Sequence, residues 1–287
     1  MNGAPPARRA GGARRRIDRR TALRGGCLAA GAALAAVAVD GAVVTPRRLV
    51  TSDHALGSGD VPPLKLAQVS DLHLRGIGTL ERQLIERLHE SAADLIVFTG
   101  DAIDAAGALG LLDQLLAELP AAARRLAILG NWEHRCGVGV DALARTYERH
   151  DVELLVNRSI VVEHRGRSLR VTGLDDLLLG RPDPAAALAD ATPSDGHLVL
   201  AHCPAARDAL GLPPAHPASL VLADHTHGGQ IAPLGKALVR PYGSGRYVAG
   251  WYRDGGPPMY VSRGIGTSLL PVRLGAPPEL VRIEWRA

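Results

Sequence analysis

The 287-residue chain is 46% hydrophobic but only 3% aromatic, enough apolar content for a sizeable core of Leu, Val, Ile and Ala and too few rings for a base-stacking platform. Its net charge of +4 is unevenly placed: residues 1–50 carry ten Arg against Asp18 and Asp40, which leaves the remainder at −4. A mildly acidic body excludes a broad basic footprint, so nucleic acid is not expected as a binding partner.

The first 58 residues read as a leader. Arg14-Arg15-Arg16 and Arg19-Arg20 precede an apolar stretch of small residues from Gly25 to Val39, the order of charge and hydrophobicity found in export signals. Arg19-Arg20 with Leu23 resembles a twin-arginine signal, with Ala22 where a bulkier apolar residue is usual. Gly25 to Val44 is also long enough for a retained anchor, although Asp40 interrupts it. Residues 1–58 are therefore expected to form an export signal or membrane-anchoring leader plus linker. That places residues 59–287 in the bacterial cell envelope, periplasmic or extracytoplasmic, with membrane-surface association through the leader if it is kept. A cytosolic protein with a basic tail is the rival reading. Cys136 and Cys203 are read as buried free thiols, with pairing as the alternative in an oxidising compartment.

Leu64–Val69 predicts a strand with Ser70-Asp71-Leu72-His73 at its exit, followed by a helix over 79–91 with Leu80, Leu84, Ile85 and Leu88 on one side. Leu95–Phe98 predicts a second strand ending in Thr99-Gly100-Asp101, then a helix near 107–120. Leu126–Leu129 predicts a third, ending in Gly130-Asn131. Residues 150–173 read as a hairpin region broken at Asn157-Arg158 and Arg165-Gly166. Leu198–Ala201 leads into His202, and Leu220–Ala223 leads into Asp224-His225-Thr226-His227. Further short strands are expected at 237–249, 258–262 and 279–285. The parallel-like first half and hairpin-rich second half predict an α/β fold of two packed mixed β-sheets flanked by helices.

Five strand exits thus carry ligand-type groups: Asp71 and His73; Asp101 with Asp104; Asn131 with Glu133 and His134; His202; and His225 with His227. One Asp after a strand is an ordinary cap, and one His an ordinary core residue. Mixed oxygen and imidazole donors at five successive exits point instead to a metal centre.

With those motifs in place, the chain resembles the calcineurin-like metallophosphoesterase superfamily over roughly residues 64–285. The matching elements are Asp71-Leu72-His73, Gly100-Asp101-Ala102-Ile103-Asp104, Gly130-Asn131, His202 and His225-Thr226-His227. Ser262–Thr267 and Arg273–Glu279 further resemble its exported or membrane-associated bacterial branch. The resemblance implies a four-layer αββα sandwich and two divalent or mixed-valence metal ions, with Mn, Fe or Zn admitted by the donors. Asp71, His73, Asp101 and His227 would hold one ion, and Asp101, Asn131, His202 and His225 the other, with Asp101 as the catalytic bridge. The implied reaction is hydrolysis of a phosphodiester or pyrophosphate in a small phosphorylated or lipid-linked, cell-envelope-related substrate. Asp104 is read as a cap or a partner behind a ligand, and the glycines at 100, 130, 228 and 229 as room for phosphate. Arg75, Arg263 and Arg273 are read as structural charges or substrate contacts.

The departure lies at Gly130-Asn131-Trp132-Glu133-His134, where the family has His at the Trp132 position. Indole N–H donates a hydrogen bond but is no general acid near neutral pH. Either His134 reaches back as the catalytic proton donor or the metals and solvent suffice. A metal-stabilised, non-catalytic binding or scaffold protein is the alternative that Trp132 raises. Oligomeric state is not legible.

Overall fold

The computed structural model describes residues 19–58 and 60–286, apart from the side chains of residues 19–27 and 29. The leader's Arg14–Asp18 and the side chains of Arg19, Arg20, Leu23 and Cys27 lie outside that description. Helix α1, Arg19–Val39, forms a unit of its own within residues 1–39. The segment 30–47 has a mean hydropathy of 1.2 and is long and apolar enough to cross a membrane by length and composition.

The second unit runs from Asp40. Its short apolar runs fold as strands buried on both faces. In β2 (Leu64–Val69) and β3 (Leu95–Phe98), Leu66, Leu95 and Val97 point toward a second sheet, whereas Val69, Ile96 and Phe98 point the other way. Those latter residues meet the apolar faces of α2 (Thr79–Ser91), α3 (Leu109–Ala117) and a helix absent from the sequence reading, α4 (Val140–Glu148). Leu84, Leu88, Leu112, Leu115 and Leu143 come from these helices. Each such leucine contributes about 1.5–3 kcal/mol by leaving water.

The first sheet has the order β1-β12-β2-β3-β4-β5, with β1 at Val50–Leu56, β4 at Arg124–Ala127, β5 at Val152–Leu154 and β12 at Glu279–Trp285. Strands β2 to β5 are parallel, and β12 runs antiparallel to β2. The second sheet has the order β10-β11-β9-β8-β7-β6, built from β6 (Arg158–His164), β7 (Arg167–Gly173), β8 (Gly196–Leu200), β9 (Leu220–Ala223), β10 (Gly250–Tyr252) and β11 (Met259–Val261). Leu169, Val171, Leu198, Leu200, Leu220 and Leu222 close the core between the sheets. The outer face of the second sheet is covered more thinly, by α5 (Pro184–Ala187), a 3₁₀ turn at Pro204–Ala209 and loops around Tyr247. The predicted pair of mixed sheets flanked by helices is the fold observed.

Three expectations change. Val50–Leu56, read as linker, is an edge strand paired in parallel with β12, and Asp40–Arg47 joins the same unit, Gly41 O accepting from Arg273 N at 2.9 Å. Within 150–173 only β6 and β7 form the hairpin, turned by Arg165 and Gly166 at φ 51° and 79°. β5 belongs to the other sheet, and the chain crosses at the buried Leu155. Residues 237–249 form no strand: Pro241 lacks an N–H, Gly243 and Gly245 have positive φ, and the segment lies as a loop.

Candidate metal centre

Strands β2, β3, β8 and β9 and the exit from β4 end side by side, which brings the ligand-type residues together. Asp71, His73 and His227 form one buried cluster, and Asp101, His202 and His225 another. His73 Nε2 and His227 Nε2 converge at 3.1 Å, with Asp71 Oδ1 3.5 Å from His227 Nε2. In the second cluster His202 Nε2 lies 3.1 Å from His225 Nδ1 and 3.2 Å from Asn131 Oδ1. Asp101 Oδ2 stands between the two, 3.7 Å from His73 Nε2 and 3.2 Å from His202 Nε2. All seven predicted ligand residues are buried.

The rings are oriented from behind. His202 Nδ1 is 3.0 Å from Thr99 O, and His225 Nε2 is 2.8 Å from Tyr242 O. An N–H donated to each carbonyl leaves the other nitrogen's lone pair facing the cluster, the arrangement a metal requires. Asp224 Oδ1 is 2.9 Å from His202 Nδ1. Asp224 Oδ2 accepts from Thr99 Oγ1. Asp104 stands 3.9 Å behind His73 Nδ1 and 3.5 Å from Arg75.

Backbone geometry marks the same residues. Asp71, His73, Asp101, His225 and His227 all have positive φ, between 42° and 66°, a region that residues other than glycine seldom occupy. Such conformations cost on the order of 1–3 kcal/mol each and cluster at functional sites. The glycines serve this packing. A Cβ on Gly130 would stand 2.3 Å from Asp101 Oδ1, one on Gly100 2.7 Å from Gly130 N, and those on Gly228 and Gly229 against Arg263 and Ala237.

Burial pushes the Asp71 carboxyl well above its usual range, reinforced by Asp224 and Asp101, and neither of its oxygens has a hydrogen-bond partner among the described residues. Burial also lowers His73 and His225 to about 4 and His227 well below its usual range, which keeps these imidazoles neutral. For His202 burial disfavours the cation, but Asp101 and Asp224 outweigh it and raise the ring well above the usual range, so its inward lone pair becomes available to a metal only as the proton there is released. Asp101 is lowered: burial opposes its ionisation, and His202 and His73 prevail. Two orphaned carboxylate oxygens among neutral imidazoles, with a bridging carboxylate, form a donor set that fits cations.

Sequence reasoning counted Glu133 among the ligand-type groups at the strand exits but placed it in neither ion's set, and it holds the centre's frame instead. Its Oε2 accepts from Asp101 N (2.9 Å) and Gly130 N (2.8 Å), and its Oε1 from Ala102 N (2.6 Å) and Ile103 N (3.3 Å). It thereby ties the β3 exit to the β4 exit. Its place in Gly130-Asn131-Trp132-Glu133 was the available signal. His134 is not brought into the cluster: its Nε2 is 2.8 Å from Asp175 Oδ1, whose carboxylate also takes Asp176 N and Arg181 N.

A cavity of about 540 Å³ opens above Asp101, Asn131, His225 and His227, with Trp132 and Arg135 on its wall. Arg135 stacks on the indole at 5.0 Å, and Trp132 N donates to Asp101 Oδ1. None of the three arginines singled out from sequence lines it. Arg273 is fully buried and donates to the carbonyls of Gly266, Ala276 and Arg263, Arg263 pairs with Glu279, and Arg75 with Asp104.

The calcineurin-like phosphoesterase family model matches residues 64–233. The chain belongs to that family. It is a metal-dependent phosphoesterase, and the family typically binds a dinuclear metal centre. A Bacillus subtilis protein described as the uncharacterized metallophosphoesterase YkuE is 34% identical over 93% of this chain and 96% of its own length. The phosphodiesterase YaeI of Escherichia coli is 30% identical over 82% and 87% respectively. Among solved structures, a 5'-nucleotidase precursor from Thermus thermophilus superposes with a TM-score of 0.47 at 17% identity, over 70% of this chain and 49% of that one.

Proposed function

We propose that this phosphoesterase hydrolyses phosphodiester or pyrophosphate bonds of a lipid-linked, envelope-related substrate at a two-ion centre. Asp71, His73, Asp101 and His227 would hold one ion and Asp101, Asn131, His202 and His225 the other. The N/O donor set accepts Mn, Fe or Zn in divalent or mixed-valence pairs. The observation that carries the assignment is Asp101 Oδ2 lying between His73 Nε2 and His202 Nε2. When bound, two such ions neutralise charge on the transferring phosphoryl group and lower the pKa of water.

The chain's own groups do the rest. Asp101, whose carboxylate faces both clusters, would offset repulsion between two cations held there. Thr99 O and Tyr242 O fix which nitrogens of His202 and His225 face inward. Trp132 stands where the family has its histidine, and Arg135, stacked on it, supplies a cation on the cavity wall. His134, engaged with Asp175, is assigned to holding the 175–181 loop rather than to donating a proton to the leaving group. The apolar residues Leu178, Ile231, Leu238, Val239 and Leu270 on the cavity wall support a substrate with a hydrocarbon portion. The Arg-rich leader and the apolar 30–47 segment support delivery to the cell envelope.

The test is Asp101→Asn, assayed with metal content measured on a chromogenic diester and a chromogenic monoester. Diester turnover should fall by roughly 10²–10³. Parent-level turnover with unchanged metal content would overturn the assignment.

A further inference from the structure

Around the cavity mouth the surface is unusual for a water-exposed protein. Beyond residue 44, nine large apolar side chains are exposed among the described residues. Six of them lie on two adjacent loops: Leu234, Leu238, Val239, Tyr242, Leu269 and Leu270. Leu234 is fully exposed, Tyr242 89% and Leu269 78%. The two loops form one surface. Gln230 Nε2 donates to Ser268 O and Leu270 O, Ser268 N donates back to Gln230 Oε1, and Ile231 bridges to Leu274.

Backbone conformation sharpens the point. Leu234 and Leu269 are both held at positive φ, 54° and 59°, a costly state for a leucine, and both project into solvent. Stability alone gives no reason to strain two leucines outward. Charge on these loops also departs from that of the body. Leu234–Tyr242 carries Lys236 and Arg240 and no acidic residue, in a body that is net acidic. Lys236 and Arg240 sit among the exposed apolar residues with no acidic partner among the described residues, Arg240 touching only Gly245 O at 3.5 Å. Apolar side chains flanked by cations match the boundary between acyl chains and anionic headgroups.

We propose that the Leu234–Tyr242 and Leu269–Leu270 loops dock onto an anionic phospholipid bilayer, so that the cavity mouth faces the membrane surface. This surface is distinct from the leader. It would feed the proposed lipid-linked substrate directly into the centre, but it rests on the loops alone.

The experiment uses the full chain carrying Leu234→Trp, with Val161→Trp on β6 as a remote exposed reporter, mixed with vesicles of phosphatidylglycerol and brominated phosphatidylcholine. No turnover is read, so failure here leaves the phosphoesterase reading untouched. The added emission at 234 should shift blue and be quenched, and that at 161 should not. Changing Lys236 and Arg240 together to Gln should lower vesicle partitioning roughly 10–30-fold at low salt. Vesicle-bound protein with unquenched emission at 234, quenching equal at both positions, or equal affinity for purely zwitterionic vesicles would overturn the proposal. So would a blue shift that depends on protein concentration without vesicles, which would make the surface a contact between two copies of the chain.

Discussion

Replacing Glu133 by Ala should disable the centre without touching a metal ligand. Its carboxylate accepts four backbone N–H groups, from Gly130, Asp101, Ala102 and Ile103, and it is 2% exposed, so truncation leaves four buried donors without an acceptor. At about 1–3 kcal/mol for each stranded donor the gross loss is on the order of 8 kcal/mol. Part is returned, because burial, with Asp101 next, pushes Glu133 from 4.5 up to about 7. Removing that carboxylate near neutral pH relieves roughly 3 kcal/mol. The net destabilisation is about 5 kcal/mol, a large fraction of the stability of an ordinary domain. Urea unfolding of metal-stripped parent and variant measures it, and metal analysis of both proteins reads the second consequence, loss of bound metal as the Asp101 and Asn131 turns separate. A variant within about 1 kcal/mol of the parent that also holds a full metal complement would refute the reasoning.

Glu133→Gln isolates the pH dependence. A folded-state pKa of about 7 against 4.5 unfolded means the native state binds more protons across that window, so this group's contribution to stability falls as pH rises from 4.5 to 7. His73 and His225, lowered to about 4, contribute the opposite slope between 4 and 6.5 in both proteins, so the difference between parent and Gln variant, followed by urea midpoint in stripped protein, should move in the variant's favour as pH rises. A difference that stays level with pH would count against the buried, proton-holding carboxyl. Gly130→Ala should cost about 1–3 kcal/mol and lower metal content, since its Cβ would meet Asp101 Oδ1 at 2.3 Å. A thermal melt and metal analysis that match the parent would contradict that close approach. Cys136 and Cys203 are free and buried, and burial raises both thiols, so an Ellman titration should modify them only after denaturation. Rapid native reaction at either would show that the packing around it is wrong.

Much of this architecture was legible because the chain concentrates its signals. Short apolar runs followed within a few residues by Asp, Asn or His give both the strand and its exit, and Leu95–Phe98 into Asp101 shows it plainly. Val50–Leu56 escaped because an edge strand needs no continuous apolar run: Asp53 faces Arg282 at the surface, and pairing with β12 is set by a segment more than two hundred residues away. The 237–249 loop misled in the opposite sense, since Leu238 and Val239 look like strand residues until their exposure shows they face outward. Glu133 was visible as a letter, but its role needs the distance between two exits that only the sheet order fixes.

The ligand set poses a deeper version of the same problem. Five of the seven residues sit in left-handed backbone, and no sequence pattern displays a φ angle. The strain is held by hydrogen bonds between exits: Asp71 N donates to Gly100 O, His73 N to Asp101 O, and Asp101 N to Glu133 Oε2. Each loop is therefore stabilised by its neighbour more than by its own residues. Asp and His tolerate the left-handed region better than β-branched side chains, so the residue types that ligate metal are also among those the backbone accepts there. Ligand chemistry and backbone geometry thus select the same letters, which explains why the motif reads clearly in one dimension although the force that shapes it acts only in three.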